Sequence, residues 1–281
     1  MRVRIVTDSA ADVTAAARAR ITAVPLSVFF GQEAYTDGVT ITQTEFYKKL
    51  VESDVLPTTS QPNPTLFEEV YAEAAAAGDS VVVITISSGI SGTYQSACIA
   101  AADYDNVFVV DSQNAAIATG CLAELALQLA DSGMEAREIF ETLEQEKQNL
   151  RLFAVLDTLE YLKKGGRISG TVAFVGGMLS IKPMITLTDG KVAMVGKPRG
   201  NKMGNKKMLS EIEKAGGIDR SKPVMLGYTG LDDTLLQNFI ADSEVLWAGY
   251  ERPLPQAMIC SVIGTHVGPG AVAVAFFANH N

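Results

Sequence analysis

The sequence predicts an α/β protein in two parts, an N-terminal mainly parallel-sheet α/β domain over residues 1–151 and a C-terminal α+β domain over residues 152–281. Three observations predict it. Short β-rich runs alternate with helical patterns through the first half, as in a parallel sheet joined by crossover helices. After the helical segment "AREIFETLEQEKQNL" the chain turns to Gly-rich loops, short helices and short strands. The 281 residues, 47% hydrophobic and 20% charged, have the balance of a globular protein with a real core.

In chain order, "VRIVTD" reads as a buried strand, followed by a helix from about Asp12 and the strand "VPLSVFF". Helices follow over residues 43–52 and from Pro64, and then the strand "VVVITI". Thr42 with Glu45 has capping-box spacing, Thr65 with Glu68 repeats it behind Pro64, and Asp157 with Glu160 makes a third candidate. Gly78 and Gly165 are placed as helix stops. In the second part "KPMITLTDGKVAMVG", "PVMLGYT", "AMICSVI" and "AVAVAFF" read as strands, with "TDG" at 188–190 as a hairpin turn.

Charge and composition exclude several classes. A net charge of −9 and a pI near 4.8 argue against general nucleic-acid binding, which needs a basic face. No signal-peptide pattern opens the chain and no apolar run has membrane-spanning length, so a cytoplasmic location is expected. Cys98, Cys121 and Cys260 are far apart with no CxxC pair, and they are expected as buried, reduced thiols. No metal or cofactor is expected.

The chemistry concentrates in loops. "SSGISGTYQSA" lies between the strand "VVVITI" and an alanine-rich helix, and a Gly/Ser turn feeding a helix presents backbone N–H groups suited to an anion. Neither GxxxxGK[ST] nor a GxGxxG after the first strand is present, which removes the usual nucleotide sites. Ser91 at that turn and His266 in "IGTHVGPGA" could form a nucleophile and base, yet Gly89-Ile90-Ser91-Gly92-Thr93 lacks the final glycine of a hydrolase elbow. The other histidine, His280, sits in the tail. "LPTTSQPNP" at 56–64 adds a rigid loop rich in hydroxyls, with Thr59 and Ser60 as a second wall. Hydroxyls and N–H groups without an arginine fork suit a single carboxylate better than a polyphosphate. The strand ends "VTDSAAD" and "VVDSQNAA" carry Asp8, Ser9, Asp111 and Ser112, which either brace turns or line one crevice at the carboxyl edge of the sheet.

"TDSAAD", "TTSQPNP", "ISSGISGTYQSA", "VVDSQNAA", "LDTLEYLKKGGRIS", "LSIKPMITLTDGKV" and "IGTHVGPGA" occur in that order, and together they resemble the DegV family of bacterial fatty-acid-binding proteins from about residue 5 to 277. The resemblance implies one long-chain fatty acid buried between two domains, and a non-catalytic carrier whose ligand is phosphorylated by a separate fatty acid kinase. It implies that Thr59, Ser60, Ser91, Gly92, Thr93 and His266 hold the carboxylate. It also implies that Arg167, Arg199 and Lys202 are surface positions facing the kinase. Ala116, Ala118, Val267 and Gly200 depart from the family pattern, the first three at positions expected to shape the pocket wall. "TVAFVGGMLSIKPMI", with Gly176, Gly177 and Met178, and "ITAVPLSVFF" are expected to supply apolar lining.

The basic cluster "GKPRGNKMGNKK" at 196–207 is a solvated face by default, or else a patch for an acidic partner or for transient contact with an anionic membrane surface. A serine acyl hydrolase using Ser91 and His266 stands as the rival class, and a carrier of another amphipathic lipid as a third reading.

Overall fold

The apolar run Val3–Asp8 forms strand β1, whose last four residues are fully buried, as in a central strand covered on both faces. The structure is a computed structural model that describes residues 2–168 and 180–279. After β1 come helix α1 (Ala15–Arg18), β2 (Thr22–Val24), β3 (Ser27–Phe30), β4 (Glu33–Thr36), α2 (Gln43–Glu52), β5 (Thr58–Ser60) and α3 (Pro64–Ala76). The first half continues with β6 (Ser80–Thr85), α4 (Thr93–Ala101), β7 (Val107–Asp111), α5 (Ala116–Asp131) and α6 (Ala136–Glu146). The second half begins with β8 (Leu150–Val155), α7 (Glu160–Lys164), β9 (Met184–Thr188), β10 (Lys191–Gly196) and α8 (Gly200–Lys214). It ends with β11 (Val224–Tyr228), α9 (Thr234–Asp242), a 3-10 turn at Glu244–Trp247, β12 (Gln256–Met258), α10 (Ser261–Val267) and β13 (Val272–Phe277).

The α/β class expected from the alternation is the class observed. One sheet is all parallel, in the order β2-β1-β6-β7, and a small antiparallel sheet runs β4-β3-β5. The third sheet is mixed, in the order β10-β9-β8-β13-β11-β12, and takes every strand among the described residues from 150 onward. The apolar helix α5 packs between the parallel sheet and the mixed sheet, touching β1 and β6 on one side and β8, β11 and β13 on the other. Its Gly120 makes that fit possible: a Cβ there would come within 1.8 Å of the Asp12 carbonyl oxygen.

Several local expectations hold. Thr42 and Glu45 close the capping box of α2, Gly78 follows α3 at φ 71°, and Asp189 and Gly190 both take positive φ in the β9–β10 hairpin turn. Others are corrected. The cap of α3 is Asn63, not Thr65, because Pro64 takes the first helical position and the residue before it must supply the acceptor. Asp157 is drawn into an ion pair with Lys182, and Thr158 instead accepts from the Glu160 amide at 3.1 Å. Pro25 splits "VPLSVFF" into β2 and β3, which join different sheets. "AMICSVI" leaves the sheet after Met258 and turns into α10. The helix expected from Asp12 shrinks to the four residues of α1, capped by Thr14. Cys121 and Cys260 are buried as expected, whereas Cys98 lies half-exposed on the outer side of α4 near Ile99.

Candidate functional site

The period-two alternation of the mixed sheet builds a cavity. Gly227 of β11, Ala273 of β13 and Ala154 of β8 are paired directly abreast, so the centre of one sheet face carries almost no side chain. Leu152, Leu156, Ile185 and Leu187 line the flanks of this trough. Leu26, Ile86, Ile90, Ala115 and Ala116 of the N-terminal layer close over it, and Val262, Ile263 and Val267 of α10 form a wall. The enclosed volume is about 360 Å³, within the range of sites that bury a small organic ligand. Ala116 sits at φ 54°, a left-handed conformation uncommon for alanine, where it both starts α5 and lines the cavity.

The cavity opens at a polar mouth made by four segments: β5, the end of α10, the loop that carries Gly165 and Arg167, and the turn between β6 and α4. Strand β5 is held in place by pairing with β3, with Thr59 opposite Val28, and the Thr59 hydroxyl lies 2.9 Å from Nε2 of His266 in the last turn of α10. Burial, with Arg167 adding to it, pushes the His266 imidazole down to about 4, so the ring is neutral at pH 7. Its Nδ1 is buried with no hydrogen-bond partner among the described residues. Gly165 permits the approach of the neighbouring loop, since a Cβ there would meet Nδ1 at 2.3 Å. Arg167 donates from Nε to the Ile90 carbonyl at 3.2 Å and from Nη1 to the Gly165 carbonyl at 2.6 Å, so its guanidinium ties two loops of the mouth together.

The fourth segment is the turn between β6 and α4. Ser91 lines the cavity, its hydroxyl 2.9 Å from that of Thr93 and accepting from the Thr93 amide at 3.3 Å. Gly92 begins α4 without a side-chain cap, and a Cβ there would lie 2.0 Å from the Gln61 side-chain oxygen. The amino end of α4 therefore meets β5 at the mouth, where its backbone donors favour an anion.

Of the residues singled out from sequence, Thr59, Ser60, Ser91, Gly92 and His266 all line this one cavity. Thr93 does not: it is fully buried beneath Ser91 and braces it. Arg167, expected on the surface, is half-buried in the mouth itself. Arg199 and Lys202 are exposed at the start of α8, a helix that packs against the other face of β8 through Gly204 and Met208. Of the departures from the family pattern, Ala116 and Val267 line the cavity, while Ala118 is packed in the core of α5. Of "ITAVPLSVFF" only Leu26 reaches the lining. Gly176, Gly177, Met178 and His280 lie outside the described residues.

Asp8, Ser9, Asp111 and Ser112 brace turns and do not line the cavity. Asp8 accepts from the Ala10 and Ile86 amides, Ser9 from that of Leu26, Asp111 from those of Ser88 and Gln113, and Ser112 from that of Asn114. The crevice expected at the carboxyl edge of the parallel sheet is nevertheless present, lined by the residues just beyond those turns. Sequence reasoning missed Gln61, whose side-chain amide donates to Ser96 at 3.0 Å while lining the mouth, although it stands inside the quoted "TTSQPNP". Ser91 and His266 do not form an assembled nucleophile and base. The Ser91 hydroxyl pairs with Thr93, and the imidazole pairs with Thr59.

Among the described residues no helix is long and apolar enough to cross a membrane, and no group of three or more His, Cys, Asp or Glu is placed to hold a metal ion. A family model described as "Uncharacterised protein, DegV family" matches residues 2–279. A DegV domain-containing protein of Caldanaerobacter subterraneus is 34% identical over 98% of both chains. A DegV family protein from Thermus thermophilus, whose structure is described as showing fatty acid binding, is 33% identical with a TM-score of 0.87, covering 99% of this chain and 100% of its own. A stearic acid-binding protein from Eubacterium ventriosum is 30% identical with a TM-score of 0.83, covering 98% of this chain and 97% of its own.

Proposed function

The chain belongs to the DegV family, and from that membership and the shape of the cavity we propose that it binds one long-chain fatty acid. The acyl tail lies along the Gly227–Ala273–Ala154 trough and the carboxylate lies at the mouth, with Thr59, Ser60, Ser91, the Gly92 backbone and His266 as its polar surroundings. The trough is the observation that carries this reading, because an apolar slot with one polar end matches a molecule built the same way. Arg167, tied into the mouth by two carbonyls, supplies the positive charge that an anionic headgroup needs.

Burying roughly fifteen methylenes at about 0.8 kcal/mol each gives on the order of 12 kcal/mol of gross driving force. The loss of translational and rotational freedom takes several kcal/mol from that, which still leaves tight binding without a catalytic group. In its finer form the proposal is a cytoplasmic, non-catalytic carrier in two parts, residues 1–151 and 152–281. It presents the carboxylate to a separate fatty acid kinase, which supplies ATP and forms the acyl phosphate.

The test is a mass spectrum under native and denaturing conditions, with solvent extraction of whatever is released. One fatty acid per chain supports the carrier. No bound lipid and no uptake of added fatty acids would overturn it, and labelling of Ser91 by a fluorophosphonate would then favour the hydrolase. Within the carrier reading, Ser91→Ala is expected to weaken binding in a direct titration, and full affinity would remove Ser91 from the site.

A further inference from the structure

At the opposite end of α10 from His266, three carboxylates are buried together: Asp8, Asp12 and Asp37 are 0%, 1% and 3% exposed. Asp8 is satisfied at both oxygens by the amides of Ala10 and Ile86. The other two each use one oxygen on the start of α10. Asp12 accepts from the Cys260 amide at 2.8 Å, and Asp37 accepts from the Ser261 amide at 3.2 Å. These are donors that a helix leaves unsatisfied at its first turn, and here they are supplied with acceptors more than 220 residues away in the chain.

The remaining oxygen of each, Oδ2 of Asp12 and Oδ2 of Asp37, is buried with no hydrogen-bond partner among the described residues, as is the hydroxyl of Ser261. Burial raises the pKa of both carboxyls, and for Asp12 the Asp37 charge raises it further. The other groups facing the pair are Asp8, the Cys260 thiol, the Tyr47 hydroxyl, the hydroxyls of Ser9 and Ser261 close to Asp37, and Arg18. Arg18 is the one cation among them, and it is exposed. Two ionised carboxylates buried this way would repel each other, with the Cys260 thiol and the Ser9 and Ser261 hydroxyls offsetting only part of the cost of burial, whereas one retained proton removes a charge and provides a further donor.

The helix between these acids and the mouth is short and tightly held. Gly264 presses on α2, where a Cβ would meet the Tyr47 hydroxyl at 2.6 Å, and Thr265 donates back to the Ser261 carbonyl at 2.9 Å. A shift at the amino end of α10 is therefore carried to the imidazole one and a half turns on. We propose that Asp12 and Asp37 are positioning residues of the carboxylate site: they fix the amino end of α10 and thereby set His266 against Thr59.

The proposal rests on the fatty-acid reading only for its binding arm, and the imidazole readout stands apart from it. His266 and His280 are the two histidines of the chain, so an NMR pH titration resolves His266 directly. In Asp12→Ala and Asp37→Ala the His266 titration is expected to move from near 4 toward 6.5 and the affinity for hexadecanoic acid to fall about ten-fold. Asp12→Asn, which mimics the protonated acid, is expected to keep the low titration and an affinity within about two-fold. Folded alanine variants with His266 still near 4 would overturn the proposal. If the alanine variants do not fold, Asp12→Asn decides alone: an upward shift of the imidazole overturns the proposal, and an unshifted one supports it. Failure of hexadecanoic acid to bind the wild type would count against the fatty-acid reading, with the imidazole titration still deciding the positioning role.

Discussion

The two faces of the mixed sheet are made by the same strands and differ in what they do with volume. On one face Gly227, Ala273 and Ala154 stand abreast and leave a trough. One residue along, the register turns Tyr228, Val272, Val155 and Met184 to the other face, where Phe153, Val274 and Phe276 join them in a core closed by Phe239 and Trp247. Protein interiors are packed to crystal density, and an unfilled volume lowers stability. A sheet filled on one side and hollow on the other, with the hollow ending in a polar mouth, assigns stability to one face and occupancy to the other.

Phe276→Ala should break the filled face most severely. Its ring is fully buried and lies 6.1 Å from that of Phe153, and truncations of this kind cost about 3–5 kcal/mol. Denaturant unfolding reads this directly, while the affinity of the folded protein for hexadecanoic acid should change little. An unchanged midpoint would mean that this face is not a core.

The mouth sharpens the comparison through pH. An imidazole held at about 4 in the folded chain against about 6.5 unfolded binds fewer protons when folded, so stability is fully present above 6.5 and is lost as the pH falls toward 4. The loss amounts to about 3 kcal/mol. Asp8 works in the opposite sense: burial raises its carboxyl to about 7, and its contribution falls as the pH rises from 3.8 toward that value. The measurement is therefore the difference between wild type and His266→Gln in ligand-free unfolding from pH 7 to 4. A constant difference across that range would place His266 in a more solvated setting.

Ala273→Leu is the converse of Phe276→Ala. Leucine in the trough displaces two or three methylenes of an acyl chain, worth about 2 kcal/mol or a thirty-fold loss of affinity, and it fills space that was empty. Calorimetric titration should show the loss with a melting temperature equal to or above that of wild type. A lowered melting temperature with intact affinity would mean that the tail runs elsewhere.

Most of the site residues were legible because they sit in local motifs. The turn after β6, "TTSQPNP" and "IGTHVGPGA" each mark themselves by small and hydroxyl residues, and the fold brings all three to one mouth. The trough was not legible in the same way. "AVAVAFF" reads as one buried strand because both faces are apolar, and the difference between Ala273 and Phe276 has meaning only once Gly227 and Ala154 are known to lie beside Ala273. The misreading of α10 has a similar cause. "AMICSVI" is rich in residues that favour strands, and its helical start is held by Asp12 and Asp37 from the far end of the chain. The stretch around Arg167, "KKGGRIS", is basic and Gly-rich and reads as a surface loop, whereas the carbonyl that draws the side chain into the mouth is that of Ile90, 77 residues earlier in the chain.

That last correction separates two arginines that the sequence treats alike. Arg167 belongs to the mouth, so Arg167→Ala should loosen the Ile90 and Gly165 loops around His266 and weaken fatty acid binding about ten-fold, in keeping with the loss of a charge-assisted hydrogen bond. Arg199 and Lys202 are exposed on α8, which covers the filled face, so their alanine variants should bind within about two-fold of wild type, as substitutions at free surfaces do. If α8 is the docking surface for the kinase, these two variants lose phosphorylation of bound fatty acid while keeping affinity, and Arg167→Ala loses affinity first. Equal behaviour of the three would erase the distinction between the hollow face with its mouth and the filled face beneath α8.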